Sequence, residues 1–153
     1  MALGGSPDQI RNEARRVRAA TEDLDGPRSR LRSGHGVQWV GVAGDRFRER
    51  LAEHATAVGR RQEDALEVAA ALERLADALE ERQAAIRRAQ ELVEDAVDGA
   101  RRLLDRIGDH AEDVLTATDK AARTAARSVL GTAASRPQAG APEWLELARK
   151  VGR

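Results

Sequence analysis

A histidine serves as a metal ligand or a general base only when a second ligand or a carboxylate lies at motif spacing. His35, His54 and His110 stand far apart in this chain, and none has such a neighbour. His35 reads as part of a turn; His54 and His110 read as ordinary helix residues. Glu80-Glu81 and Glu94-Asp95 are adjacent in sequence, so on a helix their side chains diverge and do not form an acid/base dyad. The sequence holds no H-E-x-x-H, no glycine-rich phosphate loop after a strand and no nucleophile motif. We therefore expect no enzyme, no cofactor and no metal site.

Recognition is the chemistry that remains. Trp39-Val40-Gly41 lies in the run from Val37 to Leu51, between two helix-like segments, in a chain with two Trp, one Phe and no Tyr. A Trp can bridge helices with its large apolar surface, and a Gly supplies a positive φ or a close backbone approach at a tight turn. This W-x-G at a helical turn, with a small residue two positions on and Phe47 on the next helix, resembles the WXG family of type VII secretion substrates. The longer stretch through Leu51, Leu72–Leu79 and Gln83 is similar to the actinobacterial secretion-signal domain found at the N-terminus of polymorphic toxins. The resemblance covers roughly Ser6 to Asp98, about two-thirds of the chain.

The resemblance implies an antiparallel helical hairpin with Trp39 and Gly41 at its tip and Phe47 beneath them. It implies a secreted substrate, or a module that targets a fused or partner effector to the secretion machine. Members of the family, or their partners, commonly carry a Tyr-x-x-x-acid export motif after the second helix. This chain has no Tyr and would rely on a partner's signal. The toxin-linked relatives continue into a large C-terminal domain, which points here to a stand-alone accessory or a toxin's partner. The alternative is a cytoplasmic adaptor or chaperone that masks another protein.

Composition agrees with a helical reading. The 153 residues are dominated by Ala, Arg, Glu, Leu and Asp, with a mean hydropathy of −0.57, as in long helices or coiled coils. There is no Cys, hence no disulfide framework. Met1–Asp8 has neither a basic n-region nor an apolar h-region, so no Sec signal peptide is expected, and no apolar run is long enough to span a bilayer. We expect synthesis in the cytoplasm and export through the type VII route. Residues 1–50 carry a net charge of +3, residues 51–115 −7 and residues 116–153 +4. That segregation fits intramolecular or partner complementarity better than the concentrated basic surface a nucleic acid requires. An amphipathic lipid-surface role is a lesser alternative, because the apolar stripe is rich in Ala and poor in aromatics.

The positioning elements follow from periodicity. Ser6, Pro7 and Gln9 read as N-cap, N1 and capping-box residues, and Ile10, Ala14, Val17 and Leu24 make one stripe. Gly26-Pro27 is expected to break this helix. A further turn would run from Arg28 to Arg32, and Ser33-Gly34-His35-Gly36 would form the turn before Trp39. From Leu51 every seventh residue is apolar for eleven instances, ending at Ala121. This is an a/d-type seam. A single helix of that span would measure roughly 105 Å, so a break is expected between residues 96 and 110, at Gly99 or Gly108. A third helix would then run from about Arg101 to Leu130.

The expected fold is all-α: an antiparallel hairpin with a long second helix and a third helix, packed as a bundle or coiled coil over residues 1–130. Residues 131–142 read as a flexible linker, and 143–153 as a short amphipathic helix. One hairpin cannot bury the whole seam. Leu72, Leu79, Ile86, Val93, Leu104 and Ile107 are therefore expected to bind a partner, either another helical protein or a second copy. The tail is expected to fold back on its own bundle, the alternative being that Trp144, Leu147 and Val151 form a docking tail for a partner's groove.

Overall fold

The computed structural model describes residues 5–34, 38–108 and 115–152. Among these the chain forms five helices and no strand: α1 (Pro7–Glu22), α2 (Asp25–Ser33), α3 (Val42–Ile107), α4 (Ala117–Thr132) and α5 (Trp144–Val151). The all-α expectation holds.

α1 begins as its sequence directs. Pro7 occupies the first turn, where its missing donor costs nothing, and Asp8 faces the positive helix end. Ser6 is the N-cap in extended conformation, yet its side chain makes no capping bond. The expected break at Gly26-Pro27 is displaced. α1 stops at Glu22, and Pro27 lies inside the first turn of α2. The reason is the same orphaned-donor logic: a proline three residues into a helix removes no intrahelical hydrogen bond. Ser33, expected in a turn, is the last residue of α2, and Gly34 is its right-handed C-cap. His35 and Gly36 lie outside the described residues.

α3 is 66 residues long and passes through Gly99 without interruption. It ends at Gly108, whose φ of +63° is a left-handed conformation that terminates helices and is easy only for glycine. The amide of Gly108 still donates to the Leu104 carbonyl at 2.9 Å. The third helix therefore begins later than Arg101, since Arg101–Ile107 belong to α3. Its start is set by a capping box, in which the Thr116 hydroxyl accepts from the Asp119 amide while the Asp119 carboxylate accepts from the Thr116 amide. His110 and the seam position Val114 fall outside the described residues.

The chain divides into two compact units, one spanning Gly5–Leu79 and one that includes the stretch from Glu80 onward. In the first, α1 runs antiparallel to the N-terminal part of α3. Its buried residues are small: Ala14, Ala55, Ala69 and Ala76, with Thr21 and Gln62. Small side chains let the helix backbones approach closely but bury little apolar area, so polar contacts set the register. The Arg18 guanidinium meets the Glu73 carboxylate with both nitrogens, and Arg11 pairs with Asp77 at 2.8 Å. Further along, the Gln62 amide donates to the Thr21 carbonyl at 3.0 Å and to Asp25 at 2.9 Å.

The second unit has a larger apolar core. Ile86, Ala89, Val93 and Val97 of α3 pack with Ala133, Trp144 and Leu147, and Val129, Leu130, Leu145 and Val151 close around them. The Trp144 indole donates to the Gln138 carbonyl at 2.9 Å, which satisfies its one polar group. One expectation is corrected here, and one alternative falls away. Ile86 and Val93 are 3% and 0% exposed, so this part of the seam is filled by the chain's own α4 and α5. Trp144 and Leu147, 3% and 7% exposed, belong to the same core and are no free docking tail. A short helix with so strong an apolar face gains most by burying it on the nearest apolar stripe, which is its own.

Candidate functional site

The surface around Trp39 is assembled by the first turns of α3. Gly41 has φ +111°, a conformation strained for any residue with a Cβ. Its carbonyl accepts the Asp45 amide at 3.1 Å, so Gly41 turns the incoming chain directly into the helix. Asp45 in the first turn complements the helix dipole. Gly44 is the tighter constraint, because a Cβ placed there would lie 2.1 Å from the Trp39 carbonyl oxygen. The segment before the helix is thus laid flat against its first turn. Arg48 fixes it there, donating to the Trp39 carbonyl at 2.9 Å while pairing with Asp45.

The result is a presented aromatic pair. The Trp39 and Phe47 ring centroids are 6.0 Å apart, tilted by 55°, within the range of favourable edge-to-face contact. Both rings remain accessible: Trp39 is 50% exposed and Phe47 42%. Val40 and Val42, on either side of Gly41, are exposed as well. Apolar residues gathered at one turn and left uncovered mark a contact surface more readily than a core. The arrangement offers shape and apolar area and no group for covalent chemistry.

No family model, curated protein or solved structure matches the chain. Its function must be argued from its own surfaces.

Of the residues expected to act, Trp39, Gly41 and Phe47 come together at this turn. The partner-binding seam does not stand open. Leu72 and Leu79 are half-buried in the first unit, Leu104 is half-buried and Ile107 buried. The stripe three residues further round α3 is the accessible one, since Val68 is 53% and Leu75 49% exposed. Spacing alone would count both with the seam; the packing of α1 puts them outside it. Among the described residues no group of His, Cys, Asp or Glu could hold a metal ion, and no helix is long and apolar enough to cross a membrane. His54 is an exposed residue of α3.

Two features escaped the sequence reading. Gly44, in the first turn of α3, carries the closest approach at the tip; a glycine where any helix former would serve was the available signal. The second is a polar cluster around the buried Gln62. The Arg28 guanidinium lies against Gly59, where a Cβ would be 2.7 Å from its Nη2, and Nη1 donates to Gln62 Oε1 at 3.1 Å. A glycine well inside a long helix signals such a neighbour.

Proposed function

We propose that this chain is a non-catalytic recognition protein of type VII secretion, a substrate or a targeting module that works through helix–helix contact. The observation that carries the reading is the exposed Trp39–Phe47 pair, held on a glycine turn at the start of a long helix by the Arg48 bond to the Trp39 carbonyl. The W-x-G resemblance supports the reading, and the turn commits a scarce aromatic to solvent where a purely structural role would bury it. An antiparallel α1–α3 pair and an aromatic tip together form a preorganised surface that costs little entropy to dock.

Trp39→Ala tests the reading in a host with an intact type VII system. Export, or capture by the secretion machinery, is expected to fall sharply, with far-ultraviolet circular dichroism unchanged because the ring is half-exposed. Unaltered export by a well-folded variant would overturn the role of the tip. A wild-type chain that stays in the cytoplasm of that host would replace the reading with a retained adaptor.

A further inference from the structure

Between α2 and the N-terminal part of α3 lies a groove of about 300 Å³. It exists because α3 presents the small residues Ala55 and Gly59 there, while Arg28 and Arg32 of α2 and Arg60 and Glu63 of α3 line it. Arg28 and Arg32 stand one helical turn apart, which puts both on the α2 face that meets α3. Among the described residues none of Arg28, Arg32, Arg60 and Glu63 forms an ion pair. Three guanidiniums and one carboxylate give the lining a net charge of +2.

Arg28 is the positioned member. Its Nη1 donates to Gln62 Oε1 at 3.1 Å, and the Gln62 amide is itself held by the Thr21 carbonyl and the Asp25 carboxylate. That chain of bonds fixes the guanidinium against Gly59. Nη1 makes the guanidinium's only hydrogen bond among the described residues; Nε is buried without an acceptor, and Nη2 has none. Buried donors are seldom left unmet. Nε and Nη2 also share one edge of the guanidinium, the edge that takes two oxygens of an oxyanion at once. Thr56 lines the groove too, but its hydroxyl donates to the Ala52 carbonyl, so the arginines are the donors an anion would meet.

We propose that the α2–α3 groove binds a phosphate group, held by the Nε–Nη2 edge of Arg28, with Arg32 and Arg60 closing over it. A phosphate group carries about two negative charges at neutral pH, which balances the lining; a single carboxylate would leave it positive. Arg32 and Arg60 are exposed and must order on binding, so the affinity for the bare ion is modest. This goes beyond the secretion reading and does not rest on it, because a retained adaptor would carry the same groove.

The test is a titration of the full chain with inorganic phosphate at constant ionic strength. The Arg28 Nε–H and Gly59 amide resonances in proton–nitrogen correlation spectra are the readout, and both should follow one hyperbolic curve. Arg32→Gln and Arg60→Gln should each weaken binding about threefold or more, and Glu63→Gln should tighten it. Arg87→Gln, at an exposed α3 position outside the groove, should leave it unchanged. Resonances that stay still or drift linearly would overturn the proposal, as would a loss in Arg87→Gln equal to that of the groove variants. If an arginine variant folds poorly, Glu63→Gln still decides, since weaker or unchanged binding there would also overturn it. Cosedimentation with phosphatidylcholine vesicles containing phosphatidic acid separates the sources. Pelleting that Arg32→Gln abolishes would place the phosphate on a lipid headgroup. A chain that stays in the supernatant while the titration gives its curve would place it on a soluble phosphate. Neither readout involves export, so failure here and failure of the secretion reading are separately visible.

Discussion

At the residue scale, two positions bear more weight than their size indicates. Gly44 lets the Trp39 carbonyl lie against the first turn of α3, and a methyl there would sit 2.1 Å from that oxygen. Backbone is the obstacle, so the clash cannot be relieved by a rotamer change. Gly44→Ala should release the Arg48 bond to Trp39 and shift the Trp39 indole N–H resonance. The Trp144 resonance should stay where it is, and helicity should hold. Glu73 is the second position. The hydrogen bonds from Arg18, chiefly, hold its carboxyl below the usual carboxylate range, with Arg18's charge adding to them and burial and nearby Asp77 opposing. A carboxylate whose folded pKa is lowered stabilises the fold above its unfolded pKa, and that contribution disappears as pH falls through the folded value. Urea melts of wild type and Glu73→Gln should therefore differ at neutral pH and converge in acid, below the ordinary carboxylate range. A difference that persists or grows in acid would assign the effect to something other than the Arg18 pairing.

At the element scale, the kink between α1 and α2 shows how a sequence signal can be right in kind and displaced in position. Pro27 does mark a helix boundary, but as an early residue of α2 instead of the end of α1. The boundary is stabilised from outside, by Gln62 of α3 reaching the Thr21 carbonyl and the Asp25 carboxylate. No local pattern encodes that tertiary contact. Gly59 belongs to the same arrangement. In a helix interior Gly costs about 1 kcal/mol relative to Ala, yet a Cβ here would displace the Arg28 guanidinium from its bond to Gln62. That guanidinium is the far end of a flexible side chain and can swing aside, so its displacement offsets only part of the helix-propensity gain, and Gly59→Ala should stabilise by less than about 1 kcal/mol. In an Arg28→Ala background only the propensity remains, and the same change should stabilise by about 1 kcal/mol. Chemical denaturation of the four proteins reads the difference between the two backgrounds directly. Equal effects in both backgrounds would mean that Gly59 is not there for Arg28.

For the whole molecule, periodicity made the helices legible and left their partners open. The seven-residue repeat from Leu51 is the same whether a seam is covered by α1, by α4 and α5, or by another chain. Only the packing shows that Ile86 and Val93 are covered from within while Val68 and Leu75 are not. The stops were legible where one residue decides the backbone: Gly41 and Gly108 both adopt the positive φ their positions require. The tail was ambiguous because an amphipathic helix buries its face on whichever apolar surface is nearest. The same logic predicts how the chain comes apart. Each unit holds one tryptophan, Trp39 in the first and Trp144 in the second. Removing a buried Trp to Ala costs about 3–5 kcal/mol, and Trp144 is 3% exposed in the larger apolar core. In Trp144→Ala, amide exchange should accelerate over α4, α5 and the α3 residues from Ile86 to Val97. The amides of α1, fixed by Arg18–Glu73 and the Gln62 contacts, should keep their protection, and the Trp39 resonance should not move. If α1 loses protection to the same degree, the continuous backbone of α3 couples the two contact units into a single cooperative transition. The small-residue hairpin would then depend on the larger core for its stability.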